Sequence, residues 1–324
     1  MRRRHRRLFV LGVVMVMLAF LAGAGAIFTV GVYDRLTKVE PDCGGGYRGQ
    51  TPAQFRAPVD AGSYLMPDFQ GVRFPSRDRA ITIDAWWVPG PTTNAPAVVL
   101  AHGLHECKRA TTVLFPAGML HAHGFAVLLI DLRDEGSSTV DTGRFEGGVG
   151  EAQDVLGAWD WLREGHGIPA ERIGLFGVSL GAGAVMIATG EEPRVAAVWE
   201  DSGYADLTEV LRHQIWSEGV PSFFADLALA YGRMRGQEMA SPSPSEEVSR
   251  FGGRPLAIVH GEQDGWVPVE QAQRLIARDE AAGGRPTVWL LPDVGHVGAM
   301  GAHPAEYESR LEAFFSAALG GLSA

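Results

Sequence analysis

The chain has 324 residues, of which 46% are hydrophobic and 20% charged, an ordinary balance for a globular protein with a large core. Its formal net charge is −10, and outside the five arginines at positions 2, 3, 4, 6 and 7 it carries 23 basic residues against 38 acidic ones. That excess of acid argues against a nucleic-acid partner, because no basic stripe is present to neutralise phosphates. No internal repeat is apparent, and the one low-complexity stretch, Ser241-Pro242-Ser243-Pro244-Ser245, reads as a loop.

The arginine cluster is followed by an uncharged apolar run from Leu8 to Val32. About 20 apolar residues cross a bilayer as a helix, so this run is long enough to span with some tilt. The arginines are expected to stay in the cytoplasm and the C-terminal bulk to be exported. A cleaved signal peptide is the competing reading, with small residues at Ala22-Gly23-Ala24-Gly25-Ala26 as cleavage sites. The run continues through Ile27, Phe28, Val30 and Val32, which a cleaved signal does not need, so an uncleaved anchor over 1–32 is the expectation. Cys43 and Cys107 are the only cysteines. In an exported domain they either form a bridge or remain as two thiols, and spacing alone does not decide between these.

Residues 33–70 are rich in Gly, Pro and polar side chains and read as a linker, with a short helix near Pro52–Arg56. From residue 71 to the C-terminus the pattern is that of one α/β domain. Gly71–Phe74 and Ala80–Val88 alternate as a hairpin closed by Pro75–Arg79. Ala97–Ala101, Ala126–Ile130, Arg172–Phe176, Val195–Trp199, Leu256–Val259 and Thr287–Leu291 are continuous apolar runs. Such runs suit strands buried on both faces of a parallel sheet. Helical stretches at Arg109–Ala122, Glu151–Glu164, Leu180–Thr189, Val269–Ala281 and Ala305–Leu319 cover the two faces. Between about 203 and 254 the rhythm breaks into two apolar helices, Leu207–Trp216 and Phe223–Arg235. They read as an insertion at the carboxyl edge of the sheet, serving as a lid or as ordinary packing.

Gly177-Val178-Ser179-Leu180-Gly181 lies between an apolar strand and an Ala/Gly-rich helix. A G-x-S-x-G in that setting describes a tight strand-to-helix turn that pushes a serine hydroxyl out of the sheet. A serine nucleophile needs a base to take its proton and an acid to orient that base. Asp264 and His296, each just past a buried strand, supply the acid and the base in the order Ser179, Asp264, His296. Asp201, at the end of another strand, is a rival acid, and His303, before Pro304, a rival base. The backbone N–H groups of Leu180 and Leu104 are the candidate oxyanion donors. His102, His105 and Glu106 do not have zincin spacing and suggest no metal site, and Gly147-Gly148 is no dinucleotide fingerprint.

These segments resemble the serine α/β-hydrolase superfamily, in its prolyl-oligopeptidase-type and serine-aminopeptidase-like branch. The resemblance runs from about Thr51 to Leu319. It includes Ala85-Trp86-Trp87-Val88-Pro89, His102-Gly103, Asp131-Leu132-Arg133, Glu151 and Asp154, His260 to Pro268, and Gly295-His296. It implies the α/β-hydrolase fold, Ser179, Asp264 and His296 as the catalytic triad, and an acyl-enzyme mechanism with no metal or organic cofactor. One departure stands out. The family commonly shows D-x-R-G-x-G-x-S where Asp131–Ser138 reads Asp-Leu-Arg-Asp-Glu-Gly-Ser-Ser, which places Asp134 and Glu135 near the expected rim of the site. The expected activity is that of an anchored, exported serine hydrolase acting on an ester of a small-molecule or lipid-like acyl group. An amide or peptide substrate, an acyltransferase and a catalytically silent binding domain are the alternatives.

Overall fold

The computed structural model describes residues 2–320 apart from Glu40, Gly44 and Arg79; Arg79, at the end of the expected hairpin turn, and the expected domain's last four residues lie outside the described residues. Helix α1 (Arg2–Thr37) is continuous and contains the membrane-length apolar run, with a mean hydropathy of 2.5 over its most apolar window. It extends five residues past the expected boundary at Val32. The segment expected as a linker is held against the domain. Phe55 and Met66 are buried in the core, and the Val39 N–H donates to the Gly143 carbonyl. The helix expected near Pro52–Arg56 is instead a tight turn closed by reciprocal hydrogen bonds between Thr51 and Gln54, and the Gln50 side chain takes up the Arg56 N–H that a helix would have used.

An eight-stranded sheet organises the rest. Strands β1 (Gln70–Pro75) and β2 (Thr82–Val88) form the antiparallel hairpin. They are followed by β3 (Ala97–Ala101), α2 (Thr111–Ala122), β4 (Ala126–Ile130) and α3 (Val149–Asp160). The chain continues through β5 (Ile173–Val178), α4 (Leu180–Glu191) and β6 (Ala197–Asp201). The insertion contributes α5 (Leu207–Ser217), α6 (Phe223–Met234) and the short α7 (Pro244–Val248). The last elements are β7 (Leu256–Gly261), α8 (Glu270–Ala281), β8 (Thr287–Leu291), α9 (Ala299–Ala302) and α10 (Pro304–Leu319).

The strand order is β1-β2-β4-β3-β5-β6-β7-β8, antiparallel through β4 and parallel beyond, the arrangement of an α/β hydrolase. β3 to β7 are buried along their whole length, as the apolar runs that make up most of them lead one to expect, and at the carboxyl ends of β6 and β7 burial extends to Glu200, Asp201 and His260. Every loop that follows β3, β5, β6, β7 or β8 therefore emerges on one edge, the edge that α/β folds use for ligands.

Cys43 and Cys107 form a disulfide with Cα atoms 5.4 Å apart, tying the segment after α1 to the loop after β3 across 64 residues of sequence. In the chain-entropy account a loop of that length stabilises the folded state by about 4 kcal/mol. Replacing both cysteines by serine is expected to lower stability by roughly 2–4 kcal/mol in urea unfolding, with wild type under reducing conditions falling to the same value.

Candidate active site

Ser179 follows β5 directly and caps α4 with a backbone φ of 52°, a conformation that L residues other than glycine rarely take. The flanking glycines explain how the turn is made. A Cβ on Gly177 would lie 2.3 Å from the Gly181 carbonyl oxygen, and one on Gly181 would lie 2.3 Å from that of Ala101. The Ser179 N–H donates to the Asp201 carbonyl at 2.9 Å, so the neighbouring strand holds the turn in place.

The structure brings Ser179, His296 and Asp264 into one hydrogen-bonded chain. His296 Nε2 stands 2.9 Å from Ser179 Oγ and His296 Nδ1 stands 2.7 Å from Asp264 Oδ2. Asp264 is fixed in turn, because its Oδ1 accepts the N–H groups of Trp266 and Val267, both at 2.9 Å. The Asp264 carboxylate is buried and the His296 ring is about a quarter exposed, so the dyad is shielded on its acid side and open on its serine side. Gly103 abuts the serine: a Cβ there would meet the Ser179 Cβ at 3.4 Å, which sets the His102–Leu104 loop beside the nucleophile position. Leu180 is the first residue of α4, where an N–H has no acceptor within the helix.

The rivals occupy other places. Asp201 is fully buried, and its carboxylate accepts the hydroxyls of Ser202 and Tyr307, both at 2.9 Å, rather than meeting His296. The Ser202 hydroxyl then accepts the Val297 N–H at 2.9 Å, so Asp201, Ser202 and Tyr307 anchor the loop that carries His296. Sequence reasoning missed Ser202 and Tyr307, since nothing in their local pattern signals a contact made across the sheet. His303 caps α10 beside Trp289 and takes no part in the hydrogen-bonded chain of Ser179, His296 and Asp264.

The two carboxylates expected at the rim are not there. Asp134 adopts φ 64°, the backbone geometry glycine has no difficulty with. It is compensated by a buried carboxylate that accepts the N–H groups of Asp141, Thr142 and Gly143 at 2.7, 3.0 and 2.8 Å. Glu135 is buried as well and accepts the His105 N–H at 2.6 Å. Burial pushes its carboxyl well above the ordinary range. Both groups serve the loop backbone.

The loop after β3 is held from several sides. Glu106 accepts the Gly103 N–H at 3.2 Å, the Tyr47 hydroxyl at 2.9 Å and the Thr112 hydroxyl at 2.7 Å. His102 is spent between the Gly103 carbonyl and the Leu132 N–H. Buried Lys108 pairs with Asp84 at 2.6 Å and with Asp131. The other residues carrying the family resemblance are also structural: Arg133 pairs with Asp154 of α3 at 2.8 Å, and Glu151 accepts the Glu146 and Gly148 N–H groups. Among the described residues no group of three or more His, Cys, Asp or Glu side chains is arranged to hold a metal ion.

Burial pushes the Asp201 carboxyl up to about 6, against the pull of its two hydroxyl donors. Its ordinary value is about 3.9, so the stability tied to its proton is fully present below about pH 4 and is lost as pH rises through about 6. Asp201→Asn removes that titration. The unfolding free energy of the variant minus that of wild type is expected to rise between about pH 4 and pH 6, by at most about 3 kcal/mol, and then level off, as measured by urea unfolding across that range.

Residues 114–322 match the prolyl oligopeptidase family. An uncharacterised 31.7 kDa protein of Escherichia coli is 29% identical over 119 residues, 37% of this chain and 41% of its own length. A thiohydrolase of Aspergillus aculeatus is 27% identical over 175 residues, 52% of this chain and 53% of its own. The chain thus spans only two fifths to about half of the length of these relatives. An esterase of Pyrococcus furiosus of known structure superposes with a TM-score of 0.65 at 20% identity, covering 85% of this chain and 100% of its own, a likeness of fold. The family match takes in Ser179, Asp264 and His296 and covers well over half of the sequence, and the chain belongs to the prolyl oligopeptidase family.

Proposed function

We propose that the protein is a serine hydrolase that cleaves carboxylic esters through an acyl-enzyme, held at a membrane by α1 with its catalytic domain outside the cytoplasm. The observation that carries the chemistry is the chain of two hydrogen bonds from Ser179 through His296 to Asp264. In this reading His296 Nε2 takes the Ser179 proton as Oγ attacks the acyl carbon. Asp264 holds Nδ1–H and offsets the imidazolium charge. The N–H groups of Leu180 and Leu104 meet the oxyanion, and His296 returns the proton to the leaving alcohol. Water activated by the same imidazole then releases the acid and restores Ser179.

Two observations favour an ester over a peptide. The carboxylates that would have met a substrate amino group at the rim, Asp134 and Glu135, are buried and committed to backbone N–H groups. The helices covering the site are apolar on the side that faces Leu104 and Leu180. The prolyl oligopeptidase match favours the amide alternative, which uses the same triad. Export is supported by the Cys43–Cys107 disulfide, a bond that persists in oxidising compartments. Retention of the anchor is supported by the unbroken course of α1 into the packed domain, and the arginines before it favour a cytoplasmic N-terminus.

A fluorophosphonate probe is expected to label the wild-type protein and to label neither Ser179→Ala nor His296→Ala; labelling that persists in Ser179→Ala would sink the assignment. Asp264→Asn is expected to lower hydrolysis of a soluble p-nitrophenyl ester by about 10³–10⁴-fold, the scale of losing the orienting acid. Asp201→Asn is expected to keep most of that turnover, and the reverse pattern would make Asp201 the acid.

A further inference from the structure

Helix α1 does not part from the domain where its apolar stretch ends. From Leu8 to Ile27 its residues are exposed apart from Gly25, a length of about 30 Å at about 1.5 Å per residue, which is the thickness of a bilayer's hydrocarbon core. Beyond that point the helix packs on the insertion. The Phe28 ring meets Phe224 edge-on at 4.6 Å, and the Tyr33 ring meets Tyr231 at 5.0 Å. The two contacts advance together along both chains, so α6 runs parallel to α1 and its first turn sits where the membrane-length stretch stops. Helix α5 returns antiparallel through a short connection, with Arg212 paired to Asp226 at 2.5 Å, which brings Trp216 to the same end.

That end of the α5–α6 hairpin exposes large apolar side chains, and its one acidic residue, Glu218, is paired with Arg35 of α1. Trp216 is 69% exposed and Phe223 53%, and Leu227 lies on the Phe223 face one turn later. Between α1 and the hairpin runs a groove of about 460 Å³, lined by apolar side chains such as Phe28, Val32, Ile215 and Val220 and also by the Arg35–Glu218 ion pair. The buried apolar cluster that includes Val32 and Ile215 also contains Leu180, the residue after Ser179, and Leu104 packs against it.

We propose that the hairpin tip, Trp216, Phe223 and Leu227, is inserted into the leaflet from which α1 emerges, and that the substrate is a long-chain acyl ester resident in that leaflet. This rests on the reading of Ser179 as an acyl-transfer nucleophile and of α1 as a retained anchor. The occupant of the tip is the bilayer because the tip is continuous with the membrane-length part of α1 and lies level with its end. In this proposal the acyl chain lies along the apolar side of the groove beside α1, past the Arg35–Glu218 pair, with its ester directed towards the cluster that holds Leu180. Burying apolar tip surface in the interface also fixes the height of the site above the membrane.

The test uses the full-length protein in vesicles of phosphatidylcholine and phosphatidylglycerol. It compares turnover of a soluble short-chain p-nitrophenyl ester with that of a long-chain monoacylglycerol dissolved in the vesicles. Phe223→Glu and Trp216→Glu are expected to lower vesicle-ester turnover about tenfold while soluble-ester turnover stays unchanged, which also reports that both variants are folded. Met234→Glu is the control. Met234 is 84% exposed on α6 but about 16 Å further from the proposed bilayer, and its variant is expected to change neither rate. Brominated lipids are expected to quench a share of the tryptophan fluorescence that disappears in Trp216→Phe. Equal vesicle rates for Phe223→Glu, Met234→Glu and wild type, or quenching unchanged in Trp216→Phe, overturns the membrane inference while soluble turnover keeps the hydrolase reading standing. Loss of both turnovers and of fluorophosphonate labelling in wild type overturns the hydrolase reading, and this inference with it.

Discussion

The left-handed backbone of Ser179 is the constraint on which the arrangement depends. A φ of 52° at a residue with a side chain is costly by about 1–3 kcal/mol, and it persists only where the surroundings over-determine it. Here β5 enters from one side and α4 leaves on the other, and the small residues at Gly177 and Gly181 let the two approach each other and β3 to within backbone contact. The bond from the Ser179 N–H to the Asp201 carbonyl closes the third side. That conformation turns the hydroxyl towards His296, 2.9 Å away, and sets it at the start of α4.

Around that turn, loop positions are set by buried polar groups more than by side-chain packing. The His296 loop hangs from the Asp201–Ser202–Val297 relay, and the Asp264 loop is tied by two of its own N–H groups. After β3, Glu106, Glu135, Lys108 and the Cys43–Cys107 bond hold the loop that runs from Gly103 to Lys108. Removing one partner from such a network leaves a buried polar group unsatisfied, which costs more than the bond itself contributed. Acidic residues are therefore concentrated near the site without lining it. Several of them read from the chain as candidates for chemistry because their type, not their environment, is what a sequence displays.

The insertion and α1 form a second unit. Their shared apolar cluster reaches from Val32 and Tyr33 through Leu207, Leu211 and Ile215 to Leu180, so a helix that begins with a membrane-length stretch ends packed in the same cluster as the residue after Ser179. Paired charges, Arg35 with Glu218 and Arg144 with Asp34, flank the contact on the domain side of the apolar stretch. Because α1 is continuous and the hairpin is docked on its second half, the direction of α1 is fixed relative to the domain.

The sequence by itself determined the parallel sheet, its covering helices and the chain order of Ser179, Asp264 and His296, the three residues that hydrogen bonds join. Buried strands need apolar runs, the elbow needs its two glycines, and both constraints are local enough to be written in consecutive residues. It also disclosed the membrane-length run, because hydropathy over twenty residues needs no partner to be read. Only the tertiary structure decided between Asp264 and Asp201, since both end buried strands and the choice lies in which carboxylate a loop some thirty residues away carries to 2.7 Å from the imidazole. It alone joined Cys43 to Cys107, turned Asp134 and Glu135 inward, and packed the supposed linker against the core. Each of those outcomes depends on contacts between residues far apart in the chain, where spacing carries no information and the geometry of closure decides.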